Sequence, residues 1–139
     1  MHRRPIGRGR VLAVVGALVV LAGCVLPWYA FRVEGGLPSR EFIGLAESGI
    51  LAFIAALGTL ALVALPYAAG DRPVSVDRGL FYLLLTGLAA IGVAIWPFEV
   101  LDDLSGLLPD RAPGWWLALV GVVILGRAAF EIFQAPARR

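Results

Sequence analysis

The stretch VLAVVGALVVLAGCVLPWYAF, residues 11–31, carries no charged side chain. At about 1.5 Å of rise per residue, a helix of this length crosses the ~30 Å hydrocarbon core of a bilayer. Three further runs repeat the pattern: 48–70, 79–98, and 112–126, the last continuing through Arg127 and Glu131 to residue 133. Four such runs predict an all-α integral membrane four-helix bundle with spans at about 11–31, 48–70, 79–98 and 112–133. The spans and their connectors use nearly all of the chain, so residues 1–139 read as one polytopic membrane domain. A composition of 60% hydrophobic and 16% charged residues fits that class, since a water-soluble chain this small could not bury all four runs.

Charge is sorted between the connectors. Arg3, Arg4, Arg8, Arg10, Arg72, Arg78, Arg127, Arg138 and Arg139 stand against Asp71, Asp77 and Glu131, nine cations against three acids and a net +6. On the other side Arg32, Arg40 and Arg111 face Glu34, Glu41, Glu47, Glu99, Asp102, Asp103 and Asp110, three against seven and a net −4. Basic residues collect in the cytoplasm, which places both termini there in a plasma membrane. The basic balance therefore reports topology and excludes a nucleic-acid partner. Trp28, Trp96, Trp115 and Trp116 all fall at the opposite, outer level and read as an interfacial aromatic belt. Tyr67 and Tyr82 lie near the inner ends of their spans.

Small residues four apart mark helix faces suited to close packing: Ala13 with Ala17, Ala52 with Ala56, Ala55 with Thr59, and Ala90 with Ala94, joined by Gly16 and Gly23 on the first span. Between their ends the spans contain no Asp, Glu, Lys or His, and Thr59 and Thr86 supply the hydroxyls. Intramembrane ionisable groups are what proton relays and substrate pathways need, so transport by the chain alone is disfavoured. Arg127 and Glu131, one turn apart, read as an inner-face ion pair whose arginine reaches for the headgroups.

The sequence points away from an enzyme and requires no cofactor. His2 is the single histidine and Cys24 the single cysteine, so neither a Cys/His metal site nor a disulfide can be assembled within the chain. No phosphate-binding glycine loop or nucleophile elbow appears. The seven outer acids are chemically able to hold a divalent cation, but read as a solvated face. In the first outer connector, residues 29–34 alternate like a short extended piece ending at Gly35-Gly36, and Ser39 is placed to cap a short helix over 40–46. In the second, Phe98, Leu101, Leu104 and Leu108 recur at helical spacing, as in a helix lying on the membrane surface.

The two halves also show internal similarity. Arg4-Pro5-Ile6, Arg10 and Trp28 align with Arg72-Pro73-Val74, Arg78 and Trp96 at an offset of 68, and residues 36–40 match 107–111 after a three-residue adjustment. Two tandem helical hairpins would follow, with the first and third spans in matching environments.

Leu21-Ala22-Gly23-Cys24, after a basic start and an apolar run, resembles the lipobox of bacterial lipoproteins, which implies lipidation of Cys24 and a three-span mature protein. The sequence departs from that pattern where Val25-Leu26-Pro27-Trp28 stays apolar, so an uncleaved first span is the expectation. Over the whole chain, Leu26-Pro27-Trp28 leaving the first helix and Gly35-Gly36 in the outer loop resemble small bacterial four-span membrane proteins. That resemblance implies the topology and no chemistry. Twelve arginines with no lysine fit a GC-rich bacterial genome. The expected function is structural or accessory: contact with membrane lipids and with a membrane-protein partner or further copies of itself. The alternative is a small transporter or channel subunit working as an oligomer.

Overall fold

In the computed structural model, which describes residues 7–31, 40–46, 48–68, 78–99, 108 and 112–134, four helices are long and apolar enough to cross a membrane. They are α1 (Arg8–Val25), α2 (Gly49–Ala68), α3 (Arg78–Glu99) and α4 (Pro113–Gln134). In lipid a backbone must satisfy its own polar groups, and uninterrupted apolar runs do so as helices. Between α1 and α2 stand two short strands, β1 (Pro27–Phe31) and β2 (Arg40–Ile43), and a 3₁₀ turn over Gly44–Ala46.

The helices form a closed ring in which α1 packs on α4 and α2, and α3 packs on α2 and α4. The α1–α4 contact is the most extensive and is made by small residues. A Cβ at Gly23 would stand 2.5 Å from the Ala118 nitrogen, and one at Gly121 would stand 2.7 Å from the Val20 nitrogen. At the other end a Cβ on Gly9 would meet Ile132 at 2.9 Å. The two helices therefore run antiparallel with their backbones in contact, and the start of α1 and the end of α4 share one end of the bundle. Buried positions on α4 (Gly114, Ala118, Gly121, Leu125, Ala128) alternate by four and three residues, and Ala13, Gly16, Val20 and Gly23 on α1 do the same. This is the repeat of a left-handed supercoil, tightened here by glycine and alanine. Dispersion between closely approaching backbones is the available attraction where lipid is as apolar as the helix.

Three expectations change on this fold. The first span stops at Val25, not residue 31: Leu26 is extended (φ −75°, ψ 158°), as a residue before proline prefers, and the chain enters β1 at Pro27. The helix expected over 40–46 is instead β2, paired antiparallel with β1, followed by the 3₁₀ turn. Pairing with β1 supplies the hydrogen bonds that a local helix would have made. Of the small-residue faces, Ala13, Ala17, Ala52, Ala55, Ala56 and Thr59 are buried, whereas Ala90 is half-buried and Ala94 exposed.

The duplication predicts matching environments for the first and third spans; α1 and α3 each pack on α2 and α4, but they differ where the aligned tryptophans fall. Trp28 follows its helix in a strand, while its counterpart Trp96 lies inside α3. Residues 35–36, 39, 71–76, 101–107 and 109–111, and with them the repeated loop motifs and the surface helix of the second connector, lie outside the described residues.

Candidate functional site

The densest constellation of polar and aromatic groups sits where α1 gives way to β1, at the bundle end opposite the described termini. Two prolines create the need for it. An interior helix carbonyl accepts from the amide four residues on, and proline has no amide hydrogen. Pro27 therefore leaves the Gly23 carbonyl without its partner, and Pro97, inside α3, does the same to Val93.

Each carbonyl is met by an indole. Trp28 Nε1 donates to Gly23 O at 2.9 Å, and Trp115 Nε1 on α4 donates to Val93 O at 2.9 Å. The second bond ties α4 to α3. Buried carbonyls are rarely left orphaned, and here indoles replace the missing amides.

The local backbone aims these rings. Pro27 pairs with Ile43 and Tyr29 with Phe42, so Trp28 is the extra residue of a bulge. Successive strand residues normally face opposite ways; a bulge re-aims one of them. As a result Trp28 and Tyr29 are both buried. The Trp28 indole lies between two glycines: a Cβ on Gly44 would fall 2.5 Å from its Nε1, and one on Gly49 2.7 Å from its six-membered ring. Trp96 meets Trp28 edge-on at 5.9 Å and Tyr29 at 6.0 Å, and Trp115 meets Trp116 at 5.1 Å. Cys24 Sγ, fully buried, lies 3.4 Å from Gly49 O. The buried Ser48 Oγ and Trp96 Nε1 have no hydrogen-bond partner.

The four tryptophans expected in an interfacial belt do share one end of the bundle. Three of them point inwards: Trp28, Trp96 and Trp115 are 0%, 5% and 9% exposed, against 40% for Trp116. Tyr82 is buried and Tyr67 exposed. At the opposite end Arg127 Nε and Glu131 Oε1 are 3.2 Å apart in the expected i,i+4 pair. Among the described residues no three His, Cys, Asp or Glu side chains gather as metal ligands. His2, Glu34, Glu47, Asp102, Asp103 and Asp110 lie outside those residues, as does the side chain of Glu41.

Tyr29, Val93 and Pro97 belong to this cluster and were not singled out from the sequence. A signal was present: a proline near a span end, with an indole nearby to replace its missing amide. Chemically, the cluster is a plug of aromatic rings with its backbone acceptors satisfied. No known family model, curated protein or solved structure matches the chain.

Proposed function

We propose that the protein is a small bacterial four-span accessory component of the plasma membrane, with both termini in the cytoplasm, which acts by binding other membrane components and not by catalysis. The observation that carries this reading is the sealed interior. Among the described residues, the mid-span core carries one buried hydroxyl, Thr59, whose Oγ1 donates to Ala55 O of its own helix at 2.9 Å; the buried Ser48 Oγ and Trp96 Nε1, which lack partners, lie at the aromatic end. A hydroxyl satisfied in this way offers nothing to a solute. The rest of the core is alanine, glycine, branched aliphatic and aromatic side chains, with the thiol of Cys24. A bundle packed in this way is suited to holding its shape, leaving its outer faces and connectors for recognition. The charge asymmetry of the connectors supports the orientation.

The first span belongs to the mature protein in this reading. Lipidation of Cys24 requires cleavage before it and an accessible sulfur, whereas α1 is packed by its backbone against α4 and Cys24 is fully buried. Affinity purification from native membranes in mild detergent, with mass spectrometry of what is retained, tests the function. A stoichiometric membrane-protein partner is the expected result. Recovery of the chain alone as a defined homo-oligomer overturns the accessory reading and favours a transport subunit.

A further inference from the structure

The aromatic end of the bundle holds two donors that the fold leaves over. Ser48 stands in the N-cap position of α2, where a serine oxygen ordinarily accepts from a first-turn amide. Its buried Oγ bonds none of them, and Trp96 Nε1, on a side chain only 5% exposed, is likewise without a partner. The indoles of Trp28 and Trp115, by contrast, are engaged by proline-freed carbonyls. The start of α2 has a need of its own. Leu51 N donates to Ser48 O at 3.2 Å, and the amides of Gly49 and Ile50 have no partner within the helix.

Packing brings these groups together. A Cβ on Gly92 would stand 3.0 Å from Ser48 O and 2.8 Å from Ala52 N, so α3 touches the first turn of α2 at residue 92. The two helices are antiparallel, since a Cβ on Gly58, further along α2, meets Leu85, earlier on α3. Trp96 follows Gly92 by four residues on the same face of α3. It therefore stands about 6 Å beyond the first turn of α2, on the side towards which that turn's amides point. Trp28 closes the other side: its six-membered ring lies 2.7 Å from a Cβ on Gly49, and Trp96 meets it edge-on at 5.9 Å.

Chemistry narrows the occupant. Donors predominate, so it brings an oxygen acceptor. Aromatic walls make a charge costly to bury, and the connectors at this end, with a net −4, repel an anion. A neutral oxygen with several polar partners fits these demands.

We propose that Ser48 Oγ, Trp96 Nε1 and the start of α2 form a binding site for one neutral oxygen, that of a water molecule or of a phospholipid ester carbonyl. The bound oxygen ties α2 to α3 as the Trp115 indole ties α4 to α3.

The test is nuclear magnetic resonance of the indole N–H groups of the full chain in phosphatidylcholine nanodiscs, with Trp96 assigned by Trp96→Phe. The Trp96 proton is expected downfield, with the hydrogen-bonded protons of Trp28 and Trp115. Ser48→Ala should shift it upfield, Ser48→Thr should keep it in place, and Trp115 should stay unmoved in both. Magnetisation transfer from water, retained when the lipid is exchanged for a diether phosphatidylcholine, identifies water as the occupant. An upfield shift on that exchange identifies the ester carbonyl. A Trp96 proton at the position of an unbonded indole in the native chain overturns the site. So does a Trp96 resonance indifferent to Ser48→Ala.

Discussion

Replacing Trp115 by Phe keeps an aromatic ring between α3 and α4 but removes the Nε1–H that reaches Val93 O at 2.9 Å. That carbonyl has no backbone amide to turn to, because the residue four positions on is Pro97. Leaving a buried acceptor unsatisfied costs about 1–3 kcal/mol in water-soluble proteins. Hydrogen bonds between membrane helices average ~0.6 kcal/mol, with a ceiling near ~1.7, because groups freed on separation find other partners. Val93 O has fewer such options than a side chain, being fixed in its own helix, so we place its share at about 1–1.5 kcal/mol. Loss of the indole's extra volume adds a packing cost of similar size.

A second substitution separates the two terms. Pro97→Ala supplies an amide hydrogen for Val93 O, so Trp115→Phe in that background should lose packing but not the hydrogen bond. The double-mutant cycle is expected to give a coupling of about 1 kcal/mol, with the double variant more stable than the sum of the singles predicts. Equilibrium unfolding in mixed micelles of dodecyl sulfate and a mild detergent, followed by circular dichroism, measures it. Additivity within about 0.4 kcal/mol would show that the indole does not serve the proline-freed carbonyl.

Further expectations follow from packing and exposure. Gly23→Ala should destabilise the bundle by at least about 1–3 kcal/mol, because its Cβ collides with the Ala118 backbone, whereas Gly87→Ala, with nothing within 4 Å, should be neutral or slightly stabilising. The same unfolding assay compares them, and equal effects would refute the seam. Cys24 should resist a maleimide in mild detergent and react fully in dodecyl sulfate, with an intact mass that includes α1 and no lipid. Rapid labelling of the folded protein, or a diacylglyceryl adduct, would contradict its burial. Glu131→Gln should change stability by no more than about 0.5 kcal/mol, since its partner is mostly exposed. Acrylamide should quench Trp116 far more readily than the other three tryptophans, which single-tryptophan variants can resolve.

The number and type of the membrane elements were legible because lipid leaves the backbone little choice: each long uncharged run became one helix. Their ends were less so. Apolar content does not distinguish the last residues of α1 from β1, and the decision falls to Pro27, whose effect on Leu26 is local and readable. β2 was not readable as a strand because its hydrogen-bonding partner, β1, is a separate segment of the chain and not a local neighbour. The tryptophans were legible in level but not in direction, since direction depends on a bulge at Trp28 and on carbonyls freed by proline. Ala90 and Ala94 illustrate a related difficulty. On a helix apolar all round, spacing finds faces without ranking them, and this face turned outwards.

The glycine seam joins the first span to the last, so Gly23 and Gly114 are brought into contact from about 90 residues apart. At a synthesis rate of about 5–20 residues per second, α1 waits roughly 5–20 s in the bilayer before α4 exists. During that interval its glycine face is open to any neighbouring helix small enough to approach it. Final assembly therefore depends on the last span reaching the membrane, and a chain cut short before Pro113 would present an open α1 face to the membrane's quality-control proteases.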